Sequence, residues 1–141
     1  MADVAGGLTC LWLGMVLAIS FLEAPLKFRA PGVTVPLGLG IGRIVFRALN
    51  RVEVVLALLV AAAVLAGGAV EWPVYAVGAL AVVVLLVQLA VVRPPLNRRS
   101  DRVLAGQTLP RSRAHLVYVA LEVVKVAALI ALAALLLTAG G

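Results

Sequence analysis

The stretch Leu116–Ala139, LVYVALEVVKVAALIALAALLLTA, decides the fold. As a helix rising 1.5 Å per residue it is about 36 Å long, enough to cross a hydrocarbon core of about 30 Å. Only Glu122 and Lys125 interrupt its apolar run. Three further segments of similar character precede it, over about Gly6–Phe28, Val52–Val70 and Trp72–Val92. The chain is 65% hydrophobic and 13% charged, with a mean hydropathy of +1.19. Soluble domains carry about 25% charged residues, so lipid is the solvent that accommodates the apolar surplus. The sequence predicts an all-α polytopic membrane protein. Four transmembrane helices form one bundle, a single integral membrane domain over residues 1–141.

The basic residues orient the bundle. Lys27, Arg29, Arg43, Arg47 and Arg51 fall between the first two spans. Arg93, Arg98, Arg99, Arg102, Arg111 and Arg113 fall between the last two. The tails and the turn between spans two and three have none. Short loops rich in Lys and Arg stay on the cytoplasmic side. The expected arrangement puts both termini outside and loops 29–51 and 93–115 in the cytoplasm, in a plasma or inner membrane. The sequence starts Met-Ala-Asp, without the basic region of a cleaved signal, so the first segment is expected to be retained. The net charge of +6 is read as topology signal and contact with anionic lipid head groups, not as nucleic-acid binding. Cys10 is the single cysteine and His115 the single histidine, which removes an intrachain disulfide, a cysteine metal site and a bis-histidine haem.

Local signals refine this plan. Gly67-Gly68 and Trp72-Pro73 predict a tight turn that makes spans two and three a helical hairpin, with Trp72 in an interfacial belt. Arg43, Arg47 and Asn50 recur on one helical face, opposite Ile41, Ile44, Val45, Ala48 and Leu49. That is an interfacial amphipathic helix, and nothing breaks it before span two. The stretch Arg93–Arg113 reads as irregular, with a short helix near Asp101–Ala105. Gly38, Gly40 and Gly42 follow no strand and precede no Gly-Lys-Ser/Thr, so they permit close packing or a bend and do not form a phosphate loop.

The candidate site residues are the ionisable and polar groups inside the spans. Ser112, His115, Tyr118, Glu122 and Lys125 follow one helical stripe, with Glu122 and Lys125 paired at i, i+3. A charge at the bilayer centre costs about 2.5–3.5 kcal/mol, so this pair is expected to face the bundle. Glu23 and Lys27 pair at i, i+4 around Pro25, which loosens the local backbone. Glu53 and Gln88 reach a similar depth, and Arg43 stands on the amphipathic helix. Thr9, Cys10, Ser20, Glu71, Tyr75 and Thr138 are assigned to the opposite half, and Met15 and the aromatics to packing or lipid. A pocket open to the cytoplasm follows. No catalytic residue is assigned, because Ser112, His115 and Glu122 at i, i+3, i+10 form no triad. No metal ligands are assigned either.

Trp12-Leu-Gly14, Ala24-Pro25 with Phe28, Phe46, the run Arg93–Asn97 (RPPLN) and the following His115 carry a resemblance. The plan resembles the uncharacterised four-helix bacterial membrane proteins related to transmembrane protein 205, themselves similar to copper-resistance D-type membrane proteins. The resemblance implies a link to export or tolerance of metals or small toxic molecules, and no catalytic residues. The chain departs from it in the Glu122–Lys125 pair and in its single histidine.

Three functions fit these features. The first is a small protein that binds or transports an ion or small molecule, as a homo-oligomer or with a membrane partner. The second is a structural or accessory subunit of a membrane complex. The third is an enzyme acting on a lipid or isoprenoid head group, with Arg43, Arg47, Arg98 and Arg99 holding phosphate or pyrophosphate and Glu122 or His115 acting as a base. Asp101 is the only aspartate outside the N-terminal tail, so no Asp-rich metal motif supports the third.

Overall fold

The structure, a computed structural model, describes residues 1–106 and 113–140. Four long helices account for nearly all of them: α1 (Ala2–Arg29), α2 (Val35–Ala66), α3 (Trp72–Leu104) and α4 (Arg113–Gly140). Each is long and apolar enough to cross a membrane. Leu58, Leu65, Leu86, Val123 and Ile130 stand exposed on the outer surface. An outer surface as apolar as the core suits lipid. The chain is an all-α, four-helix, multi-pass membrane protein.

The boundaries follow local chemistry. Thr34 caps α2, its hydroxyl accepting a hydrogen bond from the Leu37 amide at 3.3 Å, and Pro36 occupies the first turn. The amphipathic segment runs without a break into the second span, as its pattern predicts. Gly67 ends α2 and Gly68 takes a φ of +88°, which reverses the chain before Pro73 in the first turn of α3.

Two π-helical turns interrupt the ladders, over Leu17–Glu23 in α1 and Gln88–Val92 in α3. The Ala24 amide bonds the Ile19 carbonyl, and the Arg93 amide bonds the Gln88 carbonyl, five residues back in each case. Each turn leads into proline, Pro25 or Pro94-Pro95. Proline has no amide hydrogen and crowds the carbonyl four residues back. Widening the preceding turn relieves both problems.

The same device corrects a sequence expectation. Arg93–Leu104 is helical and continues α3; it is not an irregular loop. The two prolines follow directly on the widened turn Gln88–Val92, which accommodates their missing amide hydrogens inside the continuous helix. Likewise, most of the 29–51 connection belongs to α2. Residues 107–112, which include Ser112 and Arg111, lie outside the described residues.

In the bundle, α1 packs against α2 and α4, and α4 packs against α1 and α3. Buried Trp12, Val16, Leu56, Leu85, Leu129 and Leu132 form the core. Helices α2 and α3 are joined by the tight turn yet hardly touch along the spans, so they are not a packed hairpin. They meet where Arg93–Leu104 leans on the start of α2. Between them a cleft stays open.

The ends of the bundle differ sharply. Lys27 lies beside Gly42, Arg93 beside Phe46 and Tyr118, and Arg43 pairs with Asp101 at one end. Met1, the Gly67 turn and the end of α4 gather at the other. Among the described residues, Lys125 alone of the Lys and Arg side chains lies deep in the bundle rather than toward the basic end. Gly38 and Gly42 serve close packing, as expected: a Cβ on Gly38 would run into the Phe28 ring, and one on Gly42 would fall 2.7 Å from Lys27 Nζ.

Candidate functional site

A polar cluster joins all four helices. Lys125 is fully buried on α4, and its Nζ lies 2.6 Å from Glu53 Oε1 of α2 and 2.6 Å from Glu122 Oε1 of its own helix. It also donates to Gln88 Oε1 of α3 at 2.9 Å. Three acceptors therefore match the three ammonium hydrogens. From α1, Trp12 Nε1 donates to Glu53 Oε1 at 3.0 Å, and Ser20 Oγ donates to Glu122 Oε2 at 2.9 Å. Gln88 Nε2 makes longer contacts, 3.5 Å to Glu122 Oε1 and 3.4 Å to the Tyr118 carbonyl.

The charges in this cluster do not balance. Two carboxylates face one ammonium, and Glu53 and Glu122 are only 0% and 2% exposed. Glu53 Oε2 is buried with no hydrogen-bond partner. A buried charge needs a partner, and a buried acceptor needs a donor.

The two π turns supply side chains to this cluster. Ser20 lies within the first and Gln88 begins the second. Single π turns in otherwise regular helices recur at functional sites. Here each precedes a proline and carries one hydrogen-bonding side chain to the buried charges.

Above the cluster, toward the basic end, lies a groove of about 420 Å³. Ser20, Lys27, Arg43, Phe46, Arg93 and His115 line it, among others. Ser20 thus touches both the groove and Glu122. Arg93 stacks on Phe46 and Tyr118, its carbon centre 5.1 Å and 4.6 Å from the two ring centroids, and donates to the Tyr118 hydroxyl at 3.0 Å. The two rings meet edge to face at 6.0 Å. This stack forms a wall between the basic surface and the buried charges.

The candidates named from sequence divide into two groups. Glu53, Gln88, Glu122 and Lys125 come together in the cluster. Tyr118 lends its carbonyl to Gln88 and its ring to the stack. Glu23 and Lys27 form their own pair at 3.9 Å, nearer the basic end, and Arg43 pairs with Asp101. His115 lines the groove. Among the described residues, no three His, Cys, Asp or Glu side chains gather as metal ligands.

Two residues change role. Ser20 belongs with the ionic cluster, not with the opposite half: it lies four residues beyond buried Val16 on the same helical face, in the half of α1 that leads to Lys27. Trp12 is 1% exposed and hydrogen-bonded to Glu53, so it does more than pack. A buried indole N–H requires an acceptor, and that need is the signal in the sequence that could have linked Trp12 to a polar partner.

These features define a four-helix membrane protein with an ionic cluster at the meeting point of its spans. No protein-family model, curated protein or solved structure matches the chain.

Proposed function

We propose that this protein binds a proton or a small monovalent cation at the Glu53–Glu122–Lys125 cluster, reached from the basic end. One observation carries this reading: a single ammonium faces two unexposed carboxylates, and Glu53 Oε2 lacks any donor. A cation on Glu53 neutralises the remaining charge and occupies the orphaned oxygen. Intramembrane ionisable groups commonly mark ion or proton pathways. The groove ending at Ser20 supplies the approach: the Ser20 hydroxyl, which donates to Glu122, has lone pairs that can ligate an incoming cation, and it can donate to a water instead. Trp12 closes the cluster on the far side. Carriage across the membrane therefore requires Trp12 to move.

The test is infrared spectroscopy of the carboxyl groups in wild type, Glu53→Gln and Glu122→Gln. Either substitution leaves one carboxylate for one ammonium, so the cation-sensitive carboxyl signal should vanish in both. A wild-type signal indifferent to pH and to monovalent cations would sink the proposal.

The basic loops support an orientation with the basic end cytoplasmic and both termini outside, in a plasma or inner membrane. A reporter fused after Gly141 that works only outside the cytoplasm should be active. Activity of a cytoplasm-only reporter at that position would reverse the orientation.

One observation favours a second reading, that of an accessory or structural subunit. Lys125 is saturated by three acceptors, and the cluster ties all four helices together. On that reading the charges lock the bundle, and Glu122→Gln changes no ion-dependent property.

A further inference from the structure

We propose that the basic end of the α2–α3 cleft is a binding site for an anionic glycerophospholipid whose head group carries a free hydroxyl, as in a phosphatidylglycerol. A cavity of about 510 Å³ opens there between the two helices. Arg43, Arg47, Arg51 and Arg93 line it together with Asn50 and Asn97. Val54, Val55 and Leu89 form its apolar wall toward the membrane interior. Among the described residues, no carboxylate lines the cavity, and of the four guanidinium groups only that of Arg43 has a carboxylate partner, Asp101.

Two buried polar atoms lack partners at this cavity. Asn50 is 7% exposed, and its Oδ1 has no hydrogen-bond donor. Arg93 Nε is buried without an acceptor. Buried polar groups are normally satisfied, so this pair asks for a ligand that both accepts and donates. A phosphate diester accepts from Arg47, Arg51 and Arg93, and arginine is the side chain best suited to phosphate oxygens. A head-group hydroxyl donates to Asn50.

The cleft also continues as lipid does. Deeper in the membrane, α2 and α3 frame an apolar groove of about 270 Å³, where Ala57, Ala61, Gly78 and Ala79 leave room between the helices. An acyl chain running down from the phosphate fits this course. The order is charged, then apolar, from the basic end inward. The cavity shares Arg43 and Arg93 with the groove that approaches the ionic cluster, and Trp12 borders the deeper groove, but Glu53, Glu122 and Lys125 line neither cavity, so Glu122→Gln should keep lipid binding and the two proposals can fail independently.

Native mass spectrometry and thermal stability of the purified protein test the site. The probes are phosphatidylglycerol, phosphatidic acid, phosphatidylcholine and inorganic phosphate. Phosphatidylglycerol should bind and stabilise the wild type, phosphatidylcholine and free phosphate should not, and phosphatidic acid should bind more weakly. Arg47→Gln with Arg51→Gln should weaken phosphatidylglycerol about 30-fold, at about 1 kcal/mol per basic residue near a lipid surface. Asn50→Leu should erase the preference for phosphatidylglycerol over phosphatidic acid. Arg102→Gln, an exposed residue outside the cavity, should change nothing. Equal binding of phosphatidylcholine, equal stabilisation by inorganic phosphate, or wild-type lipid affinity in the double arginine variant would each overturn the proposal. So would purification with a protein helix seated in the cleft that lipid does not displace.

Discussion

Replacing Lys125 by methionine is expected to lower the stability of the folded bundle by about 3–5 kcal/mol, the usual loss when one partner of a buried ion pair is removed. Methionine has a similar length and fills the same space, so the change isolates the charge. Lys125 Nζ is the hydrogen-bond donor shared by Glu53, Glu122 and Gln88. Without it, two carboxylates face each other with 0% and 2% exposure, where water screens almost nothing. Helices α2, α3 and α4 lose their common tie. Reversible unfolding in mixed micelles, followed by helical circular dichroism, measures the loss. The triple variant Lys125→Met, Glu53→Gln, Glu122→Gln should regain most of it, since neutral side chains in a buried site remove the uncompensated charges. A single Lys125→Met variant within about 1 kcal/mol of wild type, the range of exposed ion pairs, would show that the ammonium does not hold the bundle together.

Trp12→Ala is expected to produce the next largest loss, about 3 kcal/mol, the low end of values for truncating a buried tryptophan. The low end applies because apolar groups leaving a lipid-solvated core lose packing rather than shelter from water. Trp12 is 1% exposed, packs within the core to which all four helices contribute, and donates its indole hydrogen to Glu53 Oε1 at 3.0 Å. Alanine removes both the ring and the donor. Trp12→Phe separates the two effects: it keeps most of the ring and loses the hydrogen bond, which to a charged acceptor is worth about 1.5–3 kcal/mol. If Trp12→Phe matches wild type in the same unfolding experiment, the indole–Glu53 bond contributes nothing to the cluster. If Trp12→Ala is also silent, the indole is not part of the core.

Much of this arrangement is written in the sequence as period and depth. The four spans stand out by length and hydropathy. Glu122 and Lys125 had to face inward together, because their spacing pairs them and lipid would penalise either alone. Glu53 and Gln88 were legible as polar residues at a matching depth, but depth does not give rotation about a helix axis. Ser20 was missed through its depth: it follows buried Trp12 and Val16 at four-residue steps on the same face of α1, in the half of that helix leading to Lys27, where it meets Glu122. Pro94-Pro95 read as a break, but the widened turn before them lets α3 continue to Leu104. The open α2–α3 cleft could not be read from a short glycine turn. A turn fixes which helices are joined, not which helices pack.

We propose that the cluster holds one neutralising cation. Infrared difference spectra of the purified protein, recorded between acid and alkaline buffers and between sodium and a bulky organic cation, test it most directly. The wild type should show a carboxyl band that responds to protons or to sodium, and both Glu53→Gln and Glu122→Gln should lose it while remaining folded. The two buffer comparisons separate a bound proton from a bound metal cation. Wild-type carboxyl bands that stay fixed under both exchanges, with difference spectra identical to those of the two variants, would contradict the claim and leave the cluster as a structural lock.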